Sequence, residues 1–501
     1  MKICFLLQRR FAYIGHDLAI ILKNKYGARD FCGYVSQRSS YNFLINQKDI
    51  AYTSLILDEE IHETYKNEVI DWDFLKKLER EYGIPNLWPH IAIDRVVMQN
   101  QLVREYPYDT PPYKYEEILK IFQVKAKTII EFLEREKPDV VFTTIVAAIG
   151  SSLLYYIAKK KNINVIIIET CRVRQNWILT EDYKRSTYVE KKYDELMAAG
   201  KESQKIEEAR QYLADFQKKH STYLHYSMTD LNKNYRLNPL KWLKPKNIWR
   251  SLSWFLKFSY NYYVAGKNRD FTDEKPVGYL IDRVKRKIRT AVGFSNLYDK
   301  PDFKENYGFY PLHYEPEVGV SLYAPNWTDQ VNLVRQIAKS LPIDYRLYVK
   351  EHPAMVGYRP KAYYKELKKI PNIKLIEPNI PSYDLVKNAD IVFVIASTAG
   401  WEAILLQKPL VTFGDVFYNK LSTVKKCDNI AELPYLIKTQ LENFNYRPEE
   451  LENFIGCVME ESADIGLTEI WEKGTRSSDA QRKLELLADL MAKKLNLKQI
   501  S

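Results

Sequence analysis

The feature that most constrains this chain is the regular alternation of short apolar runs with helical stretches over its C-terminal half. From Val318 the sequence reads VGVSLYA, a helix after Thr328, DYRLYVK, a charged helix, NIKLIEP, a short helix, ADIVFVI, the helix-forming WEAILLQ, and LVTFG. Five β-type runs separated by helices and short loops predict βαβ units and a doubly wound parallel sheet ending near residue 445. The first 200 residues follow the same grammar. KICFLL reads as a strand, and a helix is expected from about Asp17, where Leu18, Ile21 and Leu22 share a face and Gly27 is a plausible stop. A chain of 501 residues is also too long for one compact core, so two α/β domains are expected.

The segments between and after these units differ in character. Residues 59–135 are rich in charge and aromatics and read as a helical insertion in an N-terminal domain spanning 1–200. The β-type alternation is lost over 201–315, a connecting region, and resumes in a C-terminal domain over 316–445. Residues 446–501 read as helices, and in SSDAQRKLELLADLMAKKL the positions Leu484, Leu487 and Met491 share one face. The formal DxD at Asp71 and Asp73 precedes FLKKLEREYG and is most simply a helix start.

The formal net charge of +11 suits anionic partners, without choosing among them. Five scattered cysteines with no CxxC pair fit a reducing cytosol better than a disulfide framework. Val140 to Ala158 carries no charge and imitates a membrane span. The flanking EKPDVV and NINVIIIE, with Thr143, Thr144, Gly150, Ser151 and Ser152 inside, read instead as strand, turn, helix, strand.

In an open parallel sheet, ligands bind beyond the carboxyl ends of the strands. Two such loops stand out in the C-terminal domain. Lys350-Glu351-His352-Pro353 follows DYRLYVK and puts two potential cations at a strand end, with Pro353 holding His352 extended. Ala396-Ser397-Thr398-Ala399-Gly400 follows DIVFVI and opens a helix, so the hydroxyls and free amides there make an anion site, with small residues allowing close approach. Glu402 in the first helical turn can reach a ribose hydroxyl. Thr398 as a simple helix cap and Glu402 as a dipole partner remain open.

LYVKEHP, PNIKLIEPNIPSYDLVKNAD and STAGWEAILLQKPLVTFGDVFYN, with FYPLHYEPE (Phe309 to Glu317) and the Asp329-Gln330 pair upstream, resemble the capsule polysaccharide biosynthesis and export proteins over roughly residues 305 to 420. The resemblance implies a GT-B glycosyltransferase: two Rossmann-like domains facing a cleft, with the nucleotide-sugar donor on the C-terminal domain and the acceptor on the N-terminal one. Characterised relatives include Kdo transferases that use a CMP-activated sugar and in which the HP motif contacts the nucleotide. Carried over, His352 and Pro353 would touch the nucleotide and Ser397, Thr398 and Glu402 would take the loop role; Lys350 and Gly400, read from the residues themselves, would complete the donor site.

The family's catalytic carboxylate does not align, so the base is sought among residues after N-terminal strands. His16 and Asp17 are expected between the first strand and first helix, where an imidazole suits deprotonation of an acceptor hydroxyl. Glu169, after NVIII, is a second candidate. Arg172 and Arg174 beside it could hold an anionic sugar or a lipid phosphate. No Walker A, GxGxxG or HExxH occurs, so no cofactor and no metal is expected.

The expected function is transfer of a sugar from a nucleotide donor to a saccharide or lipid-linked acceptor in surface polysaccharide assembly. A nucleotide-sugar epimerase of the same plan and a non-catalytic export or scaffold component are the alternatives. The expected location is cytoplasmic, peripheral on the inner face of the cell membrane. Leu231 to Arg269 carries Lys233, Arg236, Lys241, Lys244, Lys246, Arg250, Lys257, Lys267 and Arg269, no acidic residue, and Trp242, Trp249 and Trp254. With Trp249, Leu252, Phe255 and Leu256 on one helical face, it suits an anionic membrane surface. Nucleic acid is not an expected partner, because no nucleic-acid module accompanies the basic stretch.

Overall fold

A computed structural model describes residues 1–82, 86–99, 110–218, 244–265, 275–315 and 317–500. The N-terminal sheet is built from β1 (Lys2–Leu7), β2 (Asp30–Val35), β3 (Tyr52–Leu57), β4 (Val140–Thr143), β5 (Asn164–Thr170) and β6 (Trp177–Thr180). The C-terminal sheet is built from β7 (Tyr307–Pro311), β8 (Arg346–Lys350), β9 (Ile373–Ile376), β10 (Ile391–Val394), β11 (Leu410–Thr412) and β12 (Val424–Lys426). A short β13 (Ser462–Ala463) returns to the first sheet, where it pairs antiparallel with β6. The fold is α/β with two doubly wound sheets, ordered β13-β6-β5-β4-β1-β2-β3 and β12-β11-β10-β7-β8-β9.

These orders explain the sequence patterns. Every pairing in the second sheet is parallel, and both faces are covered by helices, so its strands are continuous apolar runs such as Ile391–Val394. In both sheets the direction of strand progression reverses once, between β1 and β4 and between β7 and β10. Such a reversal splays the two following loops apart and leaves a crevice at the carboxyl ends.

Several boundaries differ from the sequence reading. The first helix runs from Phe11 to Tyr26, because Phe11, Ala12 and Ile14 already join its buried stripe. Gly27 does end it, in the left-handed conformation at φ 67°. Gly15, His16 and Asp17 therefore lie within that helix and not in a loop. VGVSLYA is not a strand: Val318–Ser321 is one helical turn, and the first strand of the domain is Tyr307–Pro311. The segment packs on both cores, Val318 and Leu322 on that of the N-terminal domain and Val320 and Ala324 on that of the C-terminal domain.

Other expectations hold. Val140 to Ala158 divides into β4 and the Ile149–Lys160 helix, and among the described residues no helix is long and apolar enough to cross a membrane. Asp71 caps the Trp72–Glu81 helix, accepting from the Phe74 amide at 2.9 Å. The five cysteines are free and buried. The Ser478–Leu495 helix buries Leu484, Leu487 and Met491 against the N-terminal core, so the chain's last helix closes its first domain.

Candidate functional site

At the reversal of the C-terminal sheet, the loops after β7 and β10 are tied together by one histidine. His313 is buried, and its Nε2 accepts the backbone amides of Ile395 (3.1 Å) and Ala396 (3.3 Å). Burial and the neighbouring cations push its pKa down to about 3, so the ring is neutral and can act as an acceptor. This fixes the entry to the Thr398–Leu405 helix, whose N-cap is Ser397. The Ser397 carbonyl accepts from the Tyr418 hydroxyl at 2.8 Å, and its Oγ is a buried atom with no protein partner. Gly400 is set against the sheet: a Cβ there would stand 2.4 Å from the Tyr418 hydroxyl and 2.8 Å from Val394. The close approach that Gly400 permits is thus helix to Tyr418.

Beneath the loop after β8 lies a buried charged lattice that the sequence reading missed. Glu351 is fully buried and accepts from the Arg359 guanidinium, from the Tyr364 hydroxyl (2.7 Å) and from the His352 amide (2.5 Å). Arg359, equally buried, also donates to the His313 carbonyl (2.6 Å) and to Glu315 (3.0 Å). Gln330 closes the ring: its Oε1 accepts from the His313 amide (2.7 Å), and its Nε2 donates to the His313 carbonyl (3.2 Å) and to Glu315. Such charges are tolerated inside a protein only when paired and hydrogen-bonded on every side. The lattice thereby locks the loops carrying His313 and His352 to each other. Gln330 and Glu315 fall within the FYPLHYEPE and Asp329-Gln330 patterns, which was the available signal. Arg359, in a polar loop, gave none.

His352 sits at the head of this lattice. Its Nδ1 accepts the Ala354 amide at 3.2 Å, and its ring packs edge-on against Tyr314 at 5.4 Å. An accepting Nδ1 leaves the proton of the neutral ring on Nε2. Pro353 begins the short helical turn that supplies this cap. Lys350 is not a free surface cation: it is buried, donates to Ser382 Oγ at 2.9 Å, and has its pKa lowered to about 8 by burial, against the favourable fields of Glu402 and Glu351. Burial likewise raises the Glu402 carboxyl to about 7, opposed by Lys350 and Arg172.

The N-terminal domain meets this group through the end of β5 and the turn after it. Glu169 accepts a hydrogen bond from the hydroxyl of Tyr323, a residue of the C-terminal domain, at 3.2 Å. Desolvation raises its carboxyl to about 8, although Tyr323 and Arg172 both pull it down. Arg172 and Arg174 both hold positive φ, 58° and 54°, a conformation uncommon for such side chains. The charge of Arg172 acts on Glu169, Glu402 and the Tyr418 hydroxyl alike, so it links the two domains' candidates. Arg174 turns instead to Glu208 at 3.3 Å. Tyr183 stacks on Tyr323 at 6.2 Å and hydrogen-bonds Tyr156, extending an aromatic wall from the same point.

His16 is not brought to this group. It is buried in the first helix, its Nδ1 3.1 Å from the Tyr52 hydroxyl and its ring edge-on to Phe43, and burial lowers its pKa. Asp17 follows it in the same helical turn. Both face β3, the far edge of the sheet from β5.

Residues 255–422 match the family model described as capsule polysaccharide biosynthesis protein, a span that includes His313, His352 and the Ser397 loop. Over these residues the chain is similar to the capsule polysaccharide biosynthesis family. The match starts upstream of the stretch singled out by motif and takes in the last turns of the Pro245–Tyr263 helix. Among named relatives, the chain is 31% identical over 179 residues to Protein FixF of Sinorhizobium fredii, covering 34% of this chain and 39% of that protein. It is 31% identical over 94 residues to the capsule polysaccharide modification protein LipA of Neisseria meningitidis serogroup B, covering 19% of this chain and 13% of that one. The chain thus spans well under half the length of these relatives. Among solved structures, the KpsC beta Kdo 2,7 transferase of Thermosulfurimonas dismutans aligns at 12% identity over 72% of this chain and 88% of that chain, with a TM-score of 0.32.

Proposed function

We propose that the chain is a glycosyltransferase of capsular or other surface polysaccharide assembly, taking a nucleotide-activated sugar on the C-terminal domain and a saccharide or lipid-linked acceptor on the N-terminal one. The observation that carries this reading is the meeting of Glu169, near the end of β5, and Arg172, in the turn after it, with Tyr323 and Glu402 of the C-terminal domain. A carboxyl whose pKa is raised to about 8, at the junction of two doubly wound sheets, is suited to exchanging a proton with a sugar hydroxyl near neutral pH.

In this reading the acceptor oxygen attacks the anomeric carbon while its proton passes to the Glu169 carboxylate. The bond from that carbon to the donor phosphate breaks, and its electron pair leaves with the nucleotide. The developing phosphate charge is met by His352 Nε2, by the amides and hydroxyls of Ser397 and Thr398 at the start of their helix, and by the field of Lys350, without a metal ion. The two arginines held at positive φ fit a turn kept in shape for ligand contact, with Arg172 placed to neutralise an anionic sugar or phosphate. Glu169 displaces His16 and Asp17 as the base, because they lie on the opposite edge of the sheet.

The test is product analysis with purified protein, a nucleotide sugar and an oligosaccharide acceptor. A glycosidically extended acceptor with release of the nucleotide supports the reading. An interconverted nucleotide sugar with no extended acceptor contradicts it in favour of an epimerase.

A further inference from the structure

Two helices of the region joining the domains leave most of their apolar surface uncovered by the described residues. In the Pro245–Tyr263 helix only Tyr262 is buried, while Trp249 (71% exposed), Leu252, Leu256 (59%), Tyr260 and Tyr263 recur at helical spacing along one stripe. In the Pro276–Val292 helix, Val277, Ile281, Val284, Ile288 and Val292 (70%) form a second such stripe. The helices hold each other through other residues: Trp254 and Phe258 pack on Tyr279, and the Arg283 guanidinium lies over Trp254. The stripes are therefore what remains after that contact is made.

Charge decides what can cover them. Lys246, Arg250 and Lys257 project from one flank of the first stripe at helical spacing, and Lys285 and Lys287 border the second. The first helix has no acidic residue, and Asp282, alone in the second, is buried. A folded protein partner would favour an interface core depleted in lysine, and nucleic acid has no use for aliphatic stripes. Apolar residues with tryptophan and tyrosine, edged by long basic side chains that can bury their stems, match the boundary between lipid tails and anionic headgroups.

We propose that the Pro245–Tyr263 and Pro276–Val292 helices are a docking surface for an anionic lipid bilayer. The sequence reading centred this surface on 231–269, with Phe255 on the exposed face. Residues 231–243 and 266–269, including Lys241 and Trp242, lie outside the described residues, Phe255 is only partly exposed, and the Pro276–Val292 helix takes an equal share. The surface is also seated beside the donor loop. Arg286 donates to the Tyr358 hydroxyl and Arg289 to the Tyr358 carbonyl. Gly357, at φ 81°, lies so close that a Cβ would stand 2.6 Å from Thr290 Oγ1. Residues 353–358 directly follow His352, so docking would bring the candidate site to the bilayer face, where a lipid-linked acceptor is presented. The docking itself stands on the exposed stripes and does not depend on the transfer reading.

The experiment is co-sedimentation of the full chain with vesicles of phosphatidylcholine alone or mixed with an equal amount of phosphatidylglycerol, at low and high salt. The wild type is expected to pellet with the anionic vesicles only, less so in high salt. Lys246→Glu/Arg250→Glu/Lys257→Glu should weaken the partition about tenfold or more, and Leu256→Asp/Ile288→Asp should abolish it. Unchanged circular dichroism melts and unchanged transfer to a soluble acceptor would show that fold and site are intact in these variants. Wild-type protein left in the supernatant with both vesicle types overturns the proposal. So does a dimer, seen by light scattering, that Leu256→Asp/Ile288→Asp dissociates while vesicle binding is absent, since the stripes then serve a second copy of the chain.

Discussion

The Tyr323 hydroxyl donates to Glu169 Oε1 at 3.2 Å, joining a residue of the C-terminal domain to a strand-end carboxyl of the other sheet. It is the point at which the proposed base of one domain contacts the other domain.

That bond lowers the Glu169 pKa against the larger effect of desolvation, so Tyr323→Phe should raise it further. For transfer, kcat/KM is expected to rise with pH to a limb near 8 in the wild type and at higher pH in Tyr323→Phe. Glu169→Gln should abolish transfer while nucleotide binding persists, and His16→Ala should stay active. A full pH profile of each variant checks this; an active Glu169→Gln rejects Glu169 as the base.

The same shift has a stability consequence with a definite sign. The folded protein holds the Glu169 proton up to about pH 8, whereas the unfolded chain releases it near the ordinary carboxyl value of 4.5. Between those values the folded state binds more protons, so this group's contribution falls as pH rises. Urea unfolding of the wild type and Glu169→Gln across pH 5 to 9 should show the wild type losing ground relative to the variant from pH 5 to about 8 and levelling above that.

Much of this arrangement was legible in the sequence, and what was not has physical causes. Strand-helix alternation, the Gly27 stop and the two C-terminal loops are local patterns, and a single sequence carries local patterns well. His16 was misplaced because the buried stripe of its helix begins at Phe11, before any polar start signal. VGVSLYA looked like a strand because its apolar residues divide between two cores, Val318 and Leu322 on the N-terminal one and Val320 and Ala324 on the C-terminal one, which leaves no single period to read. Arg359 could not be foreseen, since its burial depends on Glu315 and Glu351 meeting it from loops far apart in sequence.

That dependence is itself testable. Arg359→Met should strand two buried carboxylates and cost about 3 to 5 kcal/mol of stability, more than any surface charge change would. Chemical denaturation measures it. Adding Glu315→Gln and Glu351→Gln to Arg359→Met should recover part of the loss.

At the donor side, His352→Ala and Ser397→Ala/Thr398→Ala are each expected to lower turnover by an amount corresponding to about 1.5 to 3 kcal/mol, as lost contacts to a charged phosphate. Glu402→Gln should act mainly on the donor's dissociation constant. Lys350→Met removes the cation that opposes the burial shift of Glu402 and should raise that carboxyl's pKa above its present value of about 7. Steady-state kinetics and titration calorimetry separate the two effects.

The most direct measurement is a thermal-shift panel of cytidine, uridine, guanosine and thymidine sugar nucleotides on four proteins: wild type, His352→Ala, Ser397→Ala/Thr398→Ala and Glu169→Gln. A ligand at a hundred times its Kd should stabilise the folded state by about 2.7 kcal/mol, a readily seen rise in Tm. The account predicts that one nucleotide class raises the Tm of the wild type and Glu169→Gln but shifts the two donor-loop variants far less. No shift from any nucleotide, or an equal shift in all four proteins, would contradict a donor site built on His352 and the Ser397 loop.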